Sequence, residues 1–330
     1  MISSFLKQKI GIPLDSKTEL ALNKLSGKSF GEVHFFDSVE ECIGNIEHSM
    51  PIYFFPIGKA KTDLIGLHLL PSDINNNRFA IMSYDLEFSR GSMIEIASNI
   101  EDFVYRCLAK MEADEIEYPK RKFDNNALLI ASEIFGTDFY VKGKNATVFV
   151  EKLMLNLSRA SANDYSFIYS DITFDKEPVE MRLEVLIKGL SHAPNCLSLY
   201  IDLIELYAEM NDFNKAANTF IASLKCFHHT IYLKSIDGYY QLGKSLIVCQ
   251  KGIFSEEVVF NLNNWKDKDR MALISKLSKA GEFEKATKVI CDMAHDFGDY
   301  NQPLPLLVKL FEKLNWNWAL ALCEIRQNII

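Results

Sequence analysis

Asn211-Asp-Phe-Asn-Lys-Ala216 and Gly281-Glu-Phe-Glu-Lys-Ala286 are nearly the same text. Arg182, Gln250 and Ala319 fall in the same phase, so successive spacings from Arg182 are 34, 34, 36 and 33. A fixed period of this length marks stacked helical hairpins, each of which buries its apolar face only against its neighbours. In the clearest unit, Tyr200, Leu203, Ile204 and Tyr207 share one helical face. Met210-Asn-Asp is the turn, and Ala216, Phe220 and Leu224 line the second helix. The small Ala216 lets two helices approach, while Phe220 fills the layer to the next hairpin. Leu273, Ile274, Leu277, Ala286 and Ile290 repeat the pattern, as do Leu306, Leu307, Leu310, Ala319 and Cys323.

Two units depart from it. The first has Arg182 where a small residue is expected. The third has Gln250 at that place, with Gly243 and Gly252 each weakening a helix by roughly 1 kcal/mol relative to alanine, so an irregular hairpin is expected there. The set resembles tetratricopeptide repeats from about residue 163 onward. A generic α-solenoid, or a series of unrelated amphipathic helices, is the alternative reading.

Outward from the repeats, the chain changes character. Met111-Glu-Ala-Asp-Glu-Ile-Glu-Tyr-Pro-Lys-Arg-Lys122 packs charge and a proline into a dozen residues, which predicts a linker over 111–125. Two apolar helices are expected after it, over Ala127–Phe135 and Val148–Leu157, with residues 136–143 between them open to a short strand pair. Before the linker, residues 1–110 mix strand and helix signals. Asp15 and Ser16 precede a helical pattern to Leu25. Val33–Phe36, Ile52–Ile57, Leu64–Leu70 and Arg78–Tyr84 read as strands, with a turn cluster over Pro71–Asn77. Ser38 followed by Glu41 is a capping box. Met93–Ala97 leads into a helix near Ser98 with Glu101 and Asp102 in its first turn, the sign that the helix dipole favours. The expected fold is therefore an α+β domain over 1–110 with an antiparallel sheet, then an all-α domain over 126–330.

Three stretches of the first domain resemble the SUKH superfamily, which includes fungal cell-wall-synthesis regulators and bacterial toxin-immunity proteins. They are Val33-His-Phe-Phe-Asp-Ser-Val-Glu-Glu, Tyr53-Phe-Phe-Pro-Ile-Gly and Ile96-Ala-Ser-Asn-Ile-Glu-Asp-Phe103. The resemblance covers one third of the chain. It implies a non-enzymatic intracellular protein that binds a toxin domain and occludes it; the alternative is an adaptor or scaffold built on the repeats.

Composition restricts the partner. The net charge is −8, with 48% hydrophobic and 24% charged residues. An acidic chain lacks the basic face a phosphate backbone needs, so no nucleic-acid partner is expected; a basic protein partner suits it. Neither a secretion signal nor an apolar run of membrane length is legible. Seven scattered cysteines read as reduced thiols, which together place the protein in the cytoplasm.

No phosphate loop, dinucleotide fingerprint or nucleophile elbow is present. His192 with Cys196, Cys226 with His228 and His229, and Cys291 with His295 are the nearest to metal pairs, but they lie in different repeats; neither a metal nor another cofactor is expected. Asp73, Asp85 and Glu87 flank the predicted strands and form one candidate acidic rim for a basic partner. Asp202, Glu205 and Glu209 follow three- and four-residue spacing on a first repeat helix and form the second. For both, a plain solvated surface is the competing reading. Trp316 and Trp318, two apart on a helix, cannot both face a core.

Overall fold

The computed structural model of the chain describes residues 1–85, 93–143, 159–174, 176–231, 234–250, 252–264 and 269–329. Its first third is α+β. Helix α1 (Ile2–Phe5) runs into a π-helical turn over Leu6–Ile10, and α2 (Ser16–Leu25) follows. Asp15 caps α2 by accepting from the Thr18 backbone N–H at 2.9 Å. Six strands come next: β1 (Ser29–Phe30), β2 (Val33–Phe35), β3 (Phe54–Ala60), β4 (Asp63–His68), β5 (Ile81–Asp85) and β6 (Met93–Ala97). They form one antiparallel meander in chain order. Short helices α3 (Val39–Gly44) and α4 (Pro71–Asn75) interrupt it, and α5 (Ile100–Glu117) and α6 (Asn125–Phe135) close it.

Local chemistry explains most of these boundaries. Ser38 accepts from the Glu41 N–H at 3.1 Å, and the Glu41 carboxylate reaches back to the Asp37 N–H at 2.9 Å, so the capping box closes one residue earlier than its usual form. Strand β3 is buried on both faces, which is why it reads as a continuous apolar run rather than an alternation. Pro56 sits inside it without an N–H to donate. The register shifts between Pro56 and Gly58, a bulge that absorbs the missing bond. Gly66 in β4 lies beneath the Phe54 ring, where an added Cβ would come within 2.4 Å of ring carbon.

Several expectations change. The turn cluster at Pro71 is the one-turn helix α4, with proline at its first position, where a missing N–H costs nothing. Met93–Ala97 is the edge strand β6, and the helix after it starts at Ile100 with Asn99 as its cap, accepting from the Asp102 N–H at 2.8 Å. The charged stretch beginning at Met111 opens as the last turns of α5, where Glu112 is buried and accepts from Tyr140 Oη and the Gly143 N–H. Residues 136–143 are turns, not a strand pair. The helix expected over Val148–Leu157 lies outside the described residues.

The rest of the chain is helical: α7 (Ala162–Phe174), α8 (Val179–His192), α9 (Leu197–Glu209), α10 (Phe213–Ser223), α11 (Ile236–Cys249), α12 (Glu256–Asn264), α13 (Asp269–Lys279), α14 (Phe283–Phe297), α15 (Leu304–Leu314) and α16 (Asn317–Ile329). Consecutive helices pack as pairs. The second helices start at 179, 213, 256, 283 and 317, so a 34-residue interval holds at each end and slips to 43 and then 27 around the third pair. Gln250 is consequently not on a second helix; it is the C-cap of α11. The extra length lies before α11, where a 3-10 turn at His228–Thr230 packs against β6.

The hydrophobic interior does not follow the change in secondary structure. One buried cluster runs from α1 and the sheet through α6 and on into α13, α14, α15 and α16; a second occupies α7 to α12. The chain thus returns to its own beginning. Arg326, 4% exposed, donates to the Glu47 and Pro51 carbonyls at 3.3 and 2.9 Å, and the Tyr300 N–H donates to the His48 carbonyl at 2.8 Å. Tyr53 packs against Phe227, Phe311 and Trp318. Trp316 and Trp318 stack on each other and are both half-buried, so neither is an exposed anchor. Among the described residues no helix is long and apolar enough to cross a membrane.

Candidate partner groove

A groove of about 510 Å³ opens between α7 and α9, with Ile94 of the edge strand β6 at one side. The α9 sequence places it. Asp202, Glu205 and Glu209 are three and four residues apart and share one face, while Leu199, Leu203 and Leu206 turn into the second core cluster. All three carboxylates line the groove, as the helical spacing predicts, but none stands alone. Lys234 Nζ lies 2.6 Å from Asp202 Oδ1 and 3.3 Å from Glu205 Oε2. Arg182 of α8 grips Glu209 with two parallel bonds of 2.8 and 3.1 Å.

Electrostatics sorts the three acids. Burial pushes the Asp202 carboxyl above its ordinary value, and the Lys234 ammonium pulls against that rise. Glu209 is held below the usual range by its bonds to Arg182. Burial disfavours the Lys234 charge, yet Asp202 and Glu205 outweigh it and leave the amine more basic than usual. The groove therefore carries three carboxylates against two cations, a net acidic wall whose members are already ordered.

Its remaining features were not read from the sequence. Phe167 of α7 lines the groove at 62% exposure, and Phe174, about two helical turns further along, is 86% exposed. The Phe167 ring offers a partner an exposed apolar anchor. Arg182 Nε and Ser166 Oγ, both at the groove, are buried donors with no acceptor among the described residues. The spacing of Phe167 and Phe174 was legible as an aromatic stripe. The Arg182–Glu209 pairing was not, because it joins two helices across a turn.

Of the first acidic rim, Asp73 is not at the surface. Asp73, in α4, is buried at 6% exposure, and burial raises its carboxyl to about 6 against the pull of Arg78. Asp85 ends β5, opposite Asp63 in the ladder. Glu87 lies outside the described residues. Asp73 instead belongs to a buried polar seam where the sheet meets the helices. There Arg78 pairs with Glu95 at 3.1 Å and donates to the His192 carbonyl at 2.8 Å, and His68 Nε2 meets His229 Nε2 at 3.0 Å.

The other chemical candidates resolve into structural roles. Glu40, Glu41, Glu101 and Asp102 occupy the first turns of α3 and α5. His229 is taken by His68, and His228 by Asp296 and Tyr240. Among the described residues no group of three or more His, Cys, Asp or Glu is placed to hold a metal ion. Six cysteines are buried free thiols and Cys249 is exposed. No family model matches the chain, and no curated protein or solved structure matches it. A functional reading therefore rests on the groove and its surroundings.

Proposed function

We propose that this chain is a non-enzymatic binding protein that holds a basic protein segment in the groove between α7 and α9. The observation that carries the reading is the combination at one place of exposed Phe167 and an ordered acidic wall. Each feature fits a different part of a peptide. The ring offers an apolar anchor. The carboxylates favour arginine or lysine.

In the more specific form implied by the SUKH resemblance, the protein is a cytoplasmic immunity protein and its partner a toxin domain, which it neutralises by occlusion. An acidic inhibitor would meet a basic toxin by electrostatic steering, so association should slow as salt rises. The alternative is an adaptor whose repeats hold a cellular protein. Two steps test these readings. Co-purification from the native host, with toxin domains encoded beside the gene assayed in parallel, identifies the partner. Titration calorimetry with Phe167→Ala and Glu205→Lys then maps it: at least a tenfold loss of affinity is expected for each. A tight complex indifferent to both substitutions would place the partner elsewhere, and a partner that is no toxin would favour the adaptor.

A further inference from the structure

Of the two cations among the groove's described lining residues, only Lys234 comes from outside a helix. It belongs to the extra length before α11 and immediately precedes Ser235, the cap that accepts from the Gly238 N–H at 3.2 Å. A positive charge at a helix N-terminus gains nothing from that helix, whose dipole favours anions there. The side chain reaches across to α9 instead. Its ammonium lies 2.6 Å from Asp202 Oδ1 and 3.3 Å from Glu205 Oε2, so one lysine spans two carboxylates on the same helix face.

The two contacts differ in kind. The Asp202 side chain is 9% exposed, and Lys234 is its cation among the described residues. Withdrawing the ammonium would leave a buried charge uncompensated, so this half of the contact is structural. Glu205 is 54% exposed and its bond to the lysine is the longer one. Its other oxygen, Oε1, accepts no bond among the described residues. An ion pair this open contributes little, because water competes for both partners. Arg182 has no such freedom: its side chain is 11% exposed and two parallel bonds fix it to Glu209. The groove therefore holds one cation contact that can be exchanged at small cost, in the same space that the exposed Phe167 ring lines.

We propose that Lys234 is an internal substitute for a partner's cation: in the free chain it occupies Glu205, and on binding it yields Glu205 to an arginine or lysine of the partner while keeping Asp202. This rests on the reading of the groove as the seat of a basic segment. Fluorescence anisotropy on the full chain, with the labelled peptide amide Leu-Arg-Ala-Lys-Leu as probe, tests it. Lys234→Gln alone strands the buried Asp202 charge, so the informative variant is Asp202→Asn/Lys234→Gln. It removes one charge of each sign, leaves the groove's net charge unchanged and frees Glu205. This double variant should bind the peptide at least fivefold tighter than the wild type, and adding Glu205→Gln should abolish the gain. Lys234→Arg keeps a cation on Asp202 and grips Glu205 with a planar fork, so it should bind at least threefold more weakly. Equal affinity in the wild type and both variants, or weaker binding by the double variant, would overturn the role of Lys234; the groove reading would stand as long as Glu205→Lys still weakened binding. Binding indifferent to Glu205→Lys, or absent from every form, would overturn both.

Discussion

Substituting Gly243 by alanine separates two physical effects of opposite sign. Gly243 lies within α11, where intrinsic propensity alone makes alanine the better residue by about 1 kcal/mol. The packing opposes this. A Cβ at position 243 would sit 2.4 Å from Phe220 Cζ and 2.7 Å from Leu262 Cδ2, against an ordinary carbon contact of about 3.5–4.0 Å. Phe220 is fully buried and stacks on Tyr239 at 4.8 Å, so its ring has no free space to enter. Overpacking costs about 1–3 kcal/mol, and contacts as short as 2.4 Å to a fixed ring place this site at the upper end, about 2–3 kcal/mol, so after the helical gain of about 1 kcal/mol we expect a net loss of about 1–2 kcal/mol. Gly238 in the same helix is the control, because its nearest neighbour to an added Cβ is Ser235 Cβ at 3.5 Å. Gly238→Ala should therefore stabilise by up to about 1 kcal/mol. Hydrogen exchange of α10 and α11 amides is the appropriate measurement, since a chain of this size need not unfold in one step. Gly243→Ala should lower protection there and Gly238→Ala raise it. Truncating Phe220 to leucine in the Gly243→Ala background should return part of the loss. Equal or higher protection in Gly243→Ala would refute the argument that close approach, rather than chance, places glycine at this site.

Three further expectations concern the seam, the chain's return and the groove. Burial, with Arg78 adding, pushes His68 down to about 3 and drives His229 in the same direction, so the folded protein keeps both neutral while the unfolded chain takes up protons below about 6.5. The His68 contribution is thus lost as pH falls, about 2 kcal/mol by pH 5. Burial raises Glu95 to about 7 and Asp73 to about 6, with Arg78 opposing both, so the folded state takes their protons first and gains stability over the same interval. The two trends offset in the wild type; Glu95→Gln should make unfolding more acid-sensitive between pH 7 and 5, by about 2 kcal/mol on urea denaturation, and an unchanged slope would count against the assignment. Arg326→Met should cost about 2–4 kcal/mol by leaving the Glu47 and Pro51 carbonyls without their donor, measured by denaturation and by faster proteolysis near residues 47–51. Glu209→Gln should leave stability within about 0.5 kcal/mol, because its bond to Arg182 lies at an exposed carboxylate, and a larger loss would make that pair a structural element rather than part of a binding wall.

Much of the local structure is legible in the sequence. Asp15 and Ser38 announce helix starts because a side-chain oxygen there satisfies an orphan N–H within three residues. The Phe54–Ile57 run announces a buried strand, and the i, i+3, i+7 spacing of Asp202, Glu205 and Glu209 correctly places them together on one wall. Other features depend on contacts that no spacing encodes. Arg182 looked like a defect at a small-residue position, and only the fold shows it holding Glu209 from a neighbouring hairpin. Asp73 read as a turn residue at the rim, yet it is buried against the seam.

The 34-residue period, a product of apolar faces that each need a neighbour, was determined by the sequence alone; so were the helical pairs it implies and the separate strand-rich beginning. Where the period slips was decided by tertiary structure. The residues before α11 turn inward so that His229 can reach His68, and the last two hairpins bury their apolar faces against the sheet rather than against further repeats. Local patterns report how each segment buries its own surface. They carry no information about which distant segment supplies the other half of that surface, and in this protein that choice shapes the groove.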